Sequence, residues 1–208
     1  MDNLSLIGTA FLFNLLAAMS PGPDFVMALK NSLNYSRKTG IFFSVGIGLG
    51  IGVHITYCAI GIGYIISKSI IVFNIIKFLG AAYLIYMGIG SIISKGSKIE
   101  VIEEKKSNDL TRAQAIKTGF LTNVLNPKAT LFFLGLFTFV VKPSTPIYVI
   151  IILALLMIAT ATGWFTLVAI FFTQSKIRNT FLKFEKIFNR VFGGLLIVLG
   201  IKIALASK

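Results

Sequence analysis

The chain is short of the residues from which most enzyme and metal sites are made. One cysteine, Cys58, excludes a disulfide framework and any thiolate cluster, and one histidine, His54, excludes most zinc constellations. Acids are scarce as well: seven Asp and Glu stand against twenty Lys and Arg. Charged residues make up 13% of the chain, where a soluble domain carries about 25%. So few polar groups cannot coat a water-exposed globule. HExxH, GxSxG and P-loop runs are missing, and no apolar run holds paired aspartates. A membrane-embedded hydrolase needs a nucleophile and a base in one site, and His54 with Asp24 is the only pair on offer. The reading therefore expects no enzyme, no cofactor and no metal site. Met1-Asp2-Asn3 lacks the basic start of a cleaved signal peptide, so the first apolar run is expected to stay in the mature protein.

What the chain does have is apolar length. Hydrophobic residues make up 56% and the mean hydropathy is +0.88. Six runs approach the length that a hydrocarbon core about 30 Å thick demands: Leu4 to Met19, Gly40 to Ile66, Ile70 to Ser94, Ala115 to Val141, Ile147 to Phe172 and Val191 to Ala206. The fold expected is an all-α integral membrane protein of about six transmembrane helices. The first and last runs are short, which leaves open five spans with a re-entrant piece. The net charge of +13 lies in the gaps between runs and forms no binding face, so it predicts contact with membrane lipids and no nucleic acid.

The basic residues also orient the chain. Lys30, Arg37 and Lys38 fill the first gap, Lys95, Lys98, Lys105, Lys106, Arg112 and Lys117 the third, and Lys176, Arg178, Lys183, Lys186 and Arg190 the fifth. Gaps two and four hold only Lys68 and Lys142. The odd gaps are then cytoplasmic and both termini face outward; Lys202 and Lys208 weakly oppose this. Residues 95–114 read as a mixed-charge linker between halves 1–94 and 115–208. Three spans per half force opposite orientations, the arrangement of inverted-repeat transporters.

Corresponding spans of the two halves are broken by proline, at Ser20-Pro21-Gly22-Pro23-Asp24 and at Asn126-Pro127-Lys128. Ser20-Pro21 and Asn126-Pro127 each put an N-cap residue ahead of proline and predict the start of a half-helix, whose free N–H groups suit a carboxylate. Ordinary kinks are the alternative. The other acids fall at the terminus, in the linker (Glu100, Glu103, Glu104, Asp109) or among the bases of the fifth gap (Glu185), which leaves Asp24 beside apolar residues. A carboxylate at membrane depth is costly, so Asp24 reads as a cation partner or proton carrier, with a helix cap as the alternative. Lys128 is either a carboxylate partner or a side chain snorkelling to an interface. Gly46, Gly48, Gly50 and Gly52 form two small helix faces that read as packing. His54 is either a proton relay or a hydrogen-bonded interior residue. Nothing in the spacing of Tyr83 and Trp164 assigns them a role.

The run Ser20 to Asp24, then Arg37 to Gly40 leading into the glycine-rich span with His54, then Gly119 to Lys128 and Phe132-Phe133, resembles the LysE/RhtB family of amino-acid exporters. The resemblance covers the whole chain. It implies a secondary transporter in the bacterial inner membrane that exports amino acids in exchange for protons, with Ser20, Pro21, Gly22, Pro23, Asp24, Asn126, Pro127 and Lys128 in the substrate site. Asp24 is the first candidate for proton coupling and His54 the second. A neutral amino acid is expected, since a dibasic solute prefers two carboxylates. A homodimer is left open. The competing readings are a membrane enzyme, an ion or metal-ion exporter, and a non-transporting membrane partner; a metal exporter should carry more carboxylate, Cys or His ligands within its spans.

Overall fold

Proline starts three of the helices of this chain, because it lacks the N–H that an interior turn must donate and fits best at a first turn. A computed structural model describes residues 3–20, 22–94, 109–140, 145–172 and 174–205. The described residues form eight α-helices and no strand: α1 (Asn3–Met19), α2 (Pro23–Asn34), α3 (Arg37–Lys68), α4 (Ile70–Ile93), α5 (Arg112–Val124), α6 (Pro127–Val140), α7 (Ile147–Phe171) and α8 (Ser175–Leu205). Pro23 and Pro127 open α2 and α6, and Pro146 precedes α7.

Helices α3, α4, α7 and α8 each contain an apolar stretch long enough to cross a membrane, and the bent pairs α1–α2 and α5–α6 bring the number to six. The bends are 55° and 60°, so the count is six where each pair is taken as one broken span. At 1.5 Å per residue the pairs span roughly 35 to 40 Å end to end, more than the hydrocarbon thickness of about 30 Å. The fold is all-α, with the first and fourth spans broken as the prolines predicted.

Three boundaries differ from the sequence reading. The first gap is mostly helix, since α2 runs through it to Asn34. The last span starts much earlier than Val191: α8 is continuous from Ser175, with its apolar stretch over Lys183–Leu205, so its bases stand on a helix and not in a loop. The linker ends sooner, because Thr111 and Gln114 form a capping box for α5, Thr111 Oγ1 accepting from Gln114 N at 3.3 Å and Gln114 Oε1 accepting from Thr111 N at 3.0 Å. Residues 95–108, 141–144 and 206–208, with parts of the expected linker and spans, lie outside the described residues.

Small residues set the packing. The Gly46–Gly50 face of α3 lies on α5, where a Cβ on Gly46 would run into the Ile116 carbonyl and one on Gly50 into the Asn123 side chain. The Gly48–Gly52 face lies on α7 at Thr162 and Ile158. Helices α4 and α8 run antiparallel, with Gly88 against the Gly193 backbone and Gly200 against Ala81. Such contacts let backbones approach closely where lipid gives no hydrophobic reason to associate. On α8, Glu185, Asn189, Phe192, Leu196, Leu199 and Ile203 form one buried stripe. Glu185 is only 3% exposed, so its expected place in a loop is wrong. Lys77, inside α4, is also buried and lies 4.6 Å from the centre of the Phe78 ring.

Candidate functional site

The two helix breaks face each other. At the first, α1 ends at Met19, Gly22 is extended and Pro23 begins α2, with Val26 N donating to Gly22 O at 2.9 Å. The N-cap is therefore Gly22, not Ser20, and it has no side chain to close the helix end. Space is tight there: a Cβ would stand 3.0 Å from Lys128 Nζ, which lies across the break, so a larger residue would push the lysine aside. At the second break the reading from sequence holds. Lys128 N donates to Asn126 Oδ1 at 3.0 Å, and Thr130 N to Asn126 O at 3.1 Å.

Donors at the second break reach acceptors at the first. Lys128 Nζ donates to Ser20 Oγ at 2.9 Å and to Ser20 O at 3.2 Å, with its charge 5.7 Å from the centre of the Phe192 ring. Asn123 Nδ2 donates to Asp24 Oδ2 at 2.8 Å. Asn123, one turn before the second break, was not singled out from the sequence, yet it is the hub. Its side chain holds Asp24, its amide packs on Gly50, and its backbone carbonyl accepts from His54 Nε2 at 3.0 Å. A carbonyl can only accept, so Nε2 carries a proton. In neutral His54 the other nitrogen, Nδ1, accepts from the Tyr57 hydroxyl at 2.6 Å. His54 is buried and stacked on Phe133 at 5.6 Å, so both of its nitrogens are engaged.

These residues close around a cavity of about 50 Å³, space for a few waters. Its polar lining is Asn14, Ser20, Asp24, Asn123, Asn126 and Lys128, and its apolar wall includes Phe132, Phe133 and Phe165. Asn14 is anchored by donating from Nδ2 to Met157 O at 3.0 Å, which ties α1 to α7. Among the described residues, Asp24 Oδ1 and Asn123 Oδ1 are buried acceptors without a hydrogen-bond partner. Orphaned buried acceptors are costly and call for a donor. Lys128 and the start of α6 supply positive charge, while Asp24 and Asn123 supply acceptors. The cavity thus offers both halves of a zwitterion's needs. No three of His, Cys, Asp or Glu cluster as metal ligands among the described residues.

The model of the LysE type translocator family matches residues 15–207. The chain belongs to that family. The translocator is 32% identical to the uncharacterized membrane protein YrhP of Bacillus subtilis over 89% of this chain and 92% of the relative. It is 28% identical to the threonine efflux protein of Escherichia coli over 98% of this chain and 99% of the relative. It is also 29% identical to the homoserine/homoserine lactone efflux protein of Salmonella typhimurium, over 65% of this chain and 64% of the relative. No solved structure matches. The family and these two named efflux proteins are transporters.

Of the translocator's sequence-derived site residues, Ser20, Gly22, Asp24, Asn126 and Lys128 line the cavity, and Pro23 and Pro127 start the two half-helices behind it. Pro21 lies outside the described residues. His54 sits one residue back from the lining, behind Asn123. Trp164 is not in the cavity wall; it packs near Phe181 at 6.3 Å.

Proposed function

We propose that this translocator exports a neutral amino acid from the cytoplasm in exchange for protons. The observation that carries the reading is the pair of facing half-helix breaks, which bring a cation, Lys128, and a carboxylate, Asp24, to one cavity. In this mechanism the solute carboxylate binds Lys128, beside the positive end of the α6 dipole, and its ammonium binds Asp24 Oδ1 and Asn123 Oδ1. Release of the ammonium leaves Asp24 to take the coupling proton, so solute and proton compete for one carboxylate. His54 is the second proton candidate, since protonation at Nδ1 would only reverse its hydrogen bond with Tyr57, the hydroxyl oxygen then accepting, but His54 lies behind the cavity lining. One charge moved through about 150 mV is worth roughly 3.5 kcal/mol, enough for a gradient of a few hundredfold.

Solutes of the threonine and homoserine class fit best, given the named relatives. A single carboxylate lines the cavity, and buried Glu185 is not part of its wall, which disfavours a dibasic solute. Alternating access by two inverted halves is supported by sequence offsets. Gly22-Pro23 and Asn126-Pro127, and the facing pair Gly88 and Gly193, all stand about 105 residues apart, as a two-fold relation requires of residues that meet their own equivalents on its axis. Helix contacts repeat accordingly: α3 packs on α5 as α7 packs on α1, and α3 on α6 as α7 on α2. The setting proposed is the bacterial inner membrane, with residues 95–108 in the cytoplasm.

Counterflow in proteoliposomes tests the reading. Purified protein should exchange labelled threonine or homoserine unchanged across a sealed bilayer, and carry lysine poorly. Absence of exchange for every amino acid tried, or recovery of a chemically altered product, would contradict it.

A further inference from the structure

A second cavity adjoins the first. It has a volume of about 240 Å³ and shares Ser20 and Lys128 with the inner cavity, so those two side chains form the wall between them. From that wall it extends along one face of α4 through Tyr83, Met87 and Ser91 to Ser94, at the end of the helix next to residues 95–108. The distance from Tyr83 to Ser94 along the helix is about 16 Å, half the thickness of a hydrocarbon core. Lipid-facing surface has no use for a row of hydroxyls, whereas a water-filled groove does.

The other wall is α8, which contributes Asn189. Asn189 is 3% exposed, and its Oδ1 has no hydrogen-bond partner among the described residues. It stands one turn before Gly193, where α8 touches Ile92 and Gly88 of α4. A buried amide oxygen calls for a donor, which water in the groove or a solute passing through it can supply. The groove therefore presents a cation, Lys128, at its foot and an unsatisfied acceptor, Asn189 Oδ1, in its wall. Those are the complements of a carboxylate and an ammonium.

We propose that this groove is a second amino-acid site, a way station through which the zwitterion passes between the aqueous phase beside residues 95–108 and the inner cavity. The identity of the solute rests on the proposed function; the groove and its polarity do not. Asn189 Oδ1 accepts from the solute ammonium while Lys128 attracts the carboxylate. Lys128 Nζ is bonded to Ser20 Oγ and O, so an arriving carboxylate competes with Ser20 for the same donor. The solute moves inward when Lys128 exchanges one partner for the other, and the lysine serves both cavities in turn.

Two measurements on the full chain test this. In the first, Ser91→Cys is treated with a membrane-impermeant thiol reagent added to one side of the bilayer at a time, with the wild type as blank because Cys58 is buried. Reaction is expected from the side of residues 95–108 only, slowed by threonine or homoserine. No reaction from that side, or a rate that neither solute changes, overturns the proposal.

In the second, Asn189→Leu and Asn189→Asp are compared with the wild type in transport from that side. Loss of one hydrogen bond in Asn189→Leu should raise the KM about tenfold with the maximal rate retained, while Asn189→Asp, which keeps an acceptor, should not raise it. A wild-type KM in Asn189→Leu overturns the proposal, and if that variant does not accumulate, a raised KM in Asn189→Asp does so. The two readings fail separately. A wild type that exchanges amino acids while both measurements are flat removes the groove alone, and a wild type that exchanges none removes the proposed function while the thiol reaction still decides the groove.

Discussion

Asp24 is the residue on which the proposed mechanism rests, and its substitutions separate the roles open to it. Asp24→Asn preserves shape and removes charge, so the protein should still accumulate in the membrane while pH-driven export falls by about a hundredfold or more. Asp24→Glu should keep partial activity. The structure already rules out the cap reading, because Gly22 is the N-cap and Asp24 lies inside the first turn of α2, so full activity in Asp24→Asn would reduce the residue to a structural partner of Asn123. Asn123 is predicted to be next in importance, because Asn123→Ala removes the donor to Asp24 Oδ2 and empties the contact with Gly50. A cost of about 1 to 3 kcal/mol in stability is expected, read from thermal unfolding in detergent, together with weaker export; an unchanged melting temperature would contradict the hub role. Asp24 and Lys128 were legible in the sequence because a charge beside proline in an apolar run is costly and hence conspicuous. Asn123, Asn189 and Lys77 were not, since a single polar residue in an apolar run has no meaning until the fold supplies its partner. Glu185 was hidden differently: it stands among five bases, and only the register of α8 shows that it points inward.

At the scale of elements, the breaks were readable and their caps only half so. Ser20-Pro21 and Gly22-Pro23 both offer a start for α2, and the helix starts at the second, where Lys128 from the other half packs against Gly22. The end of the linker has a comparable long-range role. The Asp109 carboxylate accepts from Ser36 N at 2.7 Å and from the Thr39 hydroxyl at 3.4 Å, tying the start of α3 to the approach to α5. Hydrogen bonds from Ser36 and Thr39 and the nearby Lys38 charge hold its pKa below the ordinary carboxylate value of 3.8. A depressed folded-state pKa means that the stabilising contact is present above the unfolded value and is lost as pH falls through the folded one. The Ser36 amide should therefore be protected from hydrogen exchange at neutral pH, lose protection only below about pH 4, and be unprotected at all pH values in Asp109→Ala. Equal protection in that variant at pH 7 would show that the cap is not formed.

For the molecule as a whole, composition alone pointed to a polytopic membrane protein, and apolar length gives four crossing helices, or six with each bent pair counted as one span. What composition could not reveal was how the halves meet, because that depends on glycine contacts spread over α3, α4, α5 and α8. Orientation is predicted from the basic gaps: cysteines placed at Arg37, Lys105 and Lys183 should react with impermeant reagents from the cytoplasmic side, and those at Lys68 and Lys142 from the outside. Labelling of position 105 from outside would invert the assignment. The central claim is that a neutral amino acid leaves as a proton enters through the Asp24 cavity, and it is tested most directly by following lumenal pH in proteoliposomes loaded with threonine and a trapped pH-sensitive dye. Threonine efflux through the wild type should acidify the lumen against its gradient-free starting point, and efflux through Asp24→Asn should not. Threonine efflux by the wild type with no change in lumenal pH would contradict the account.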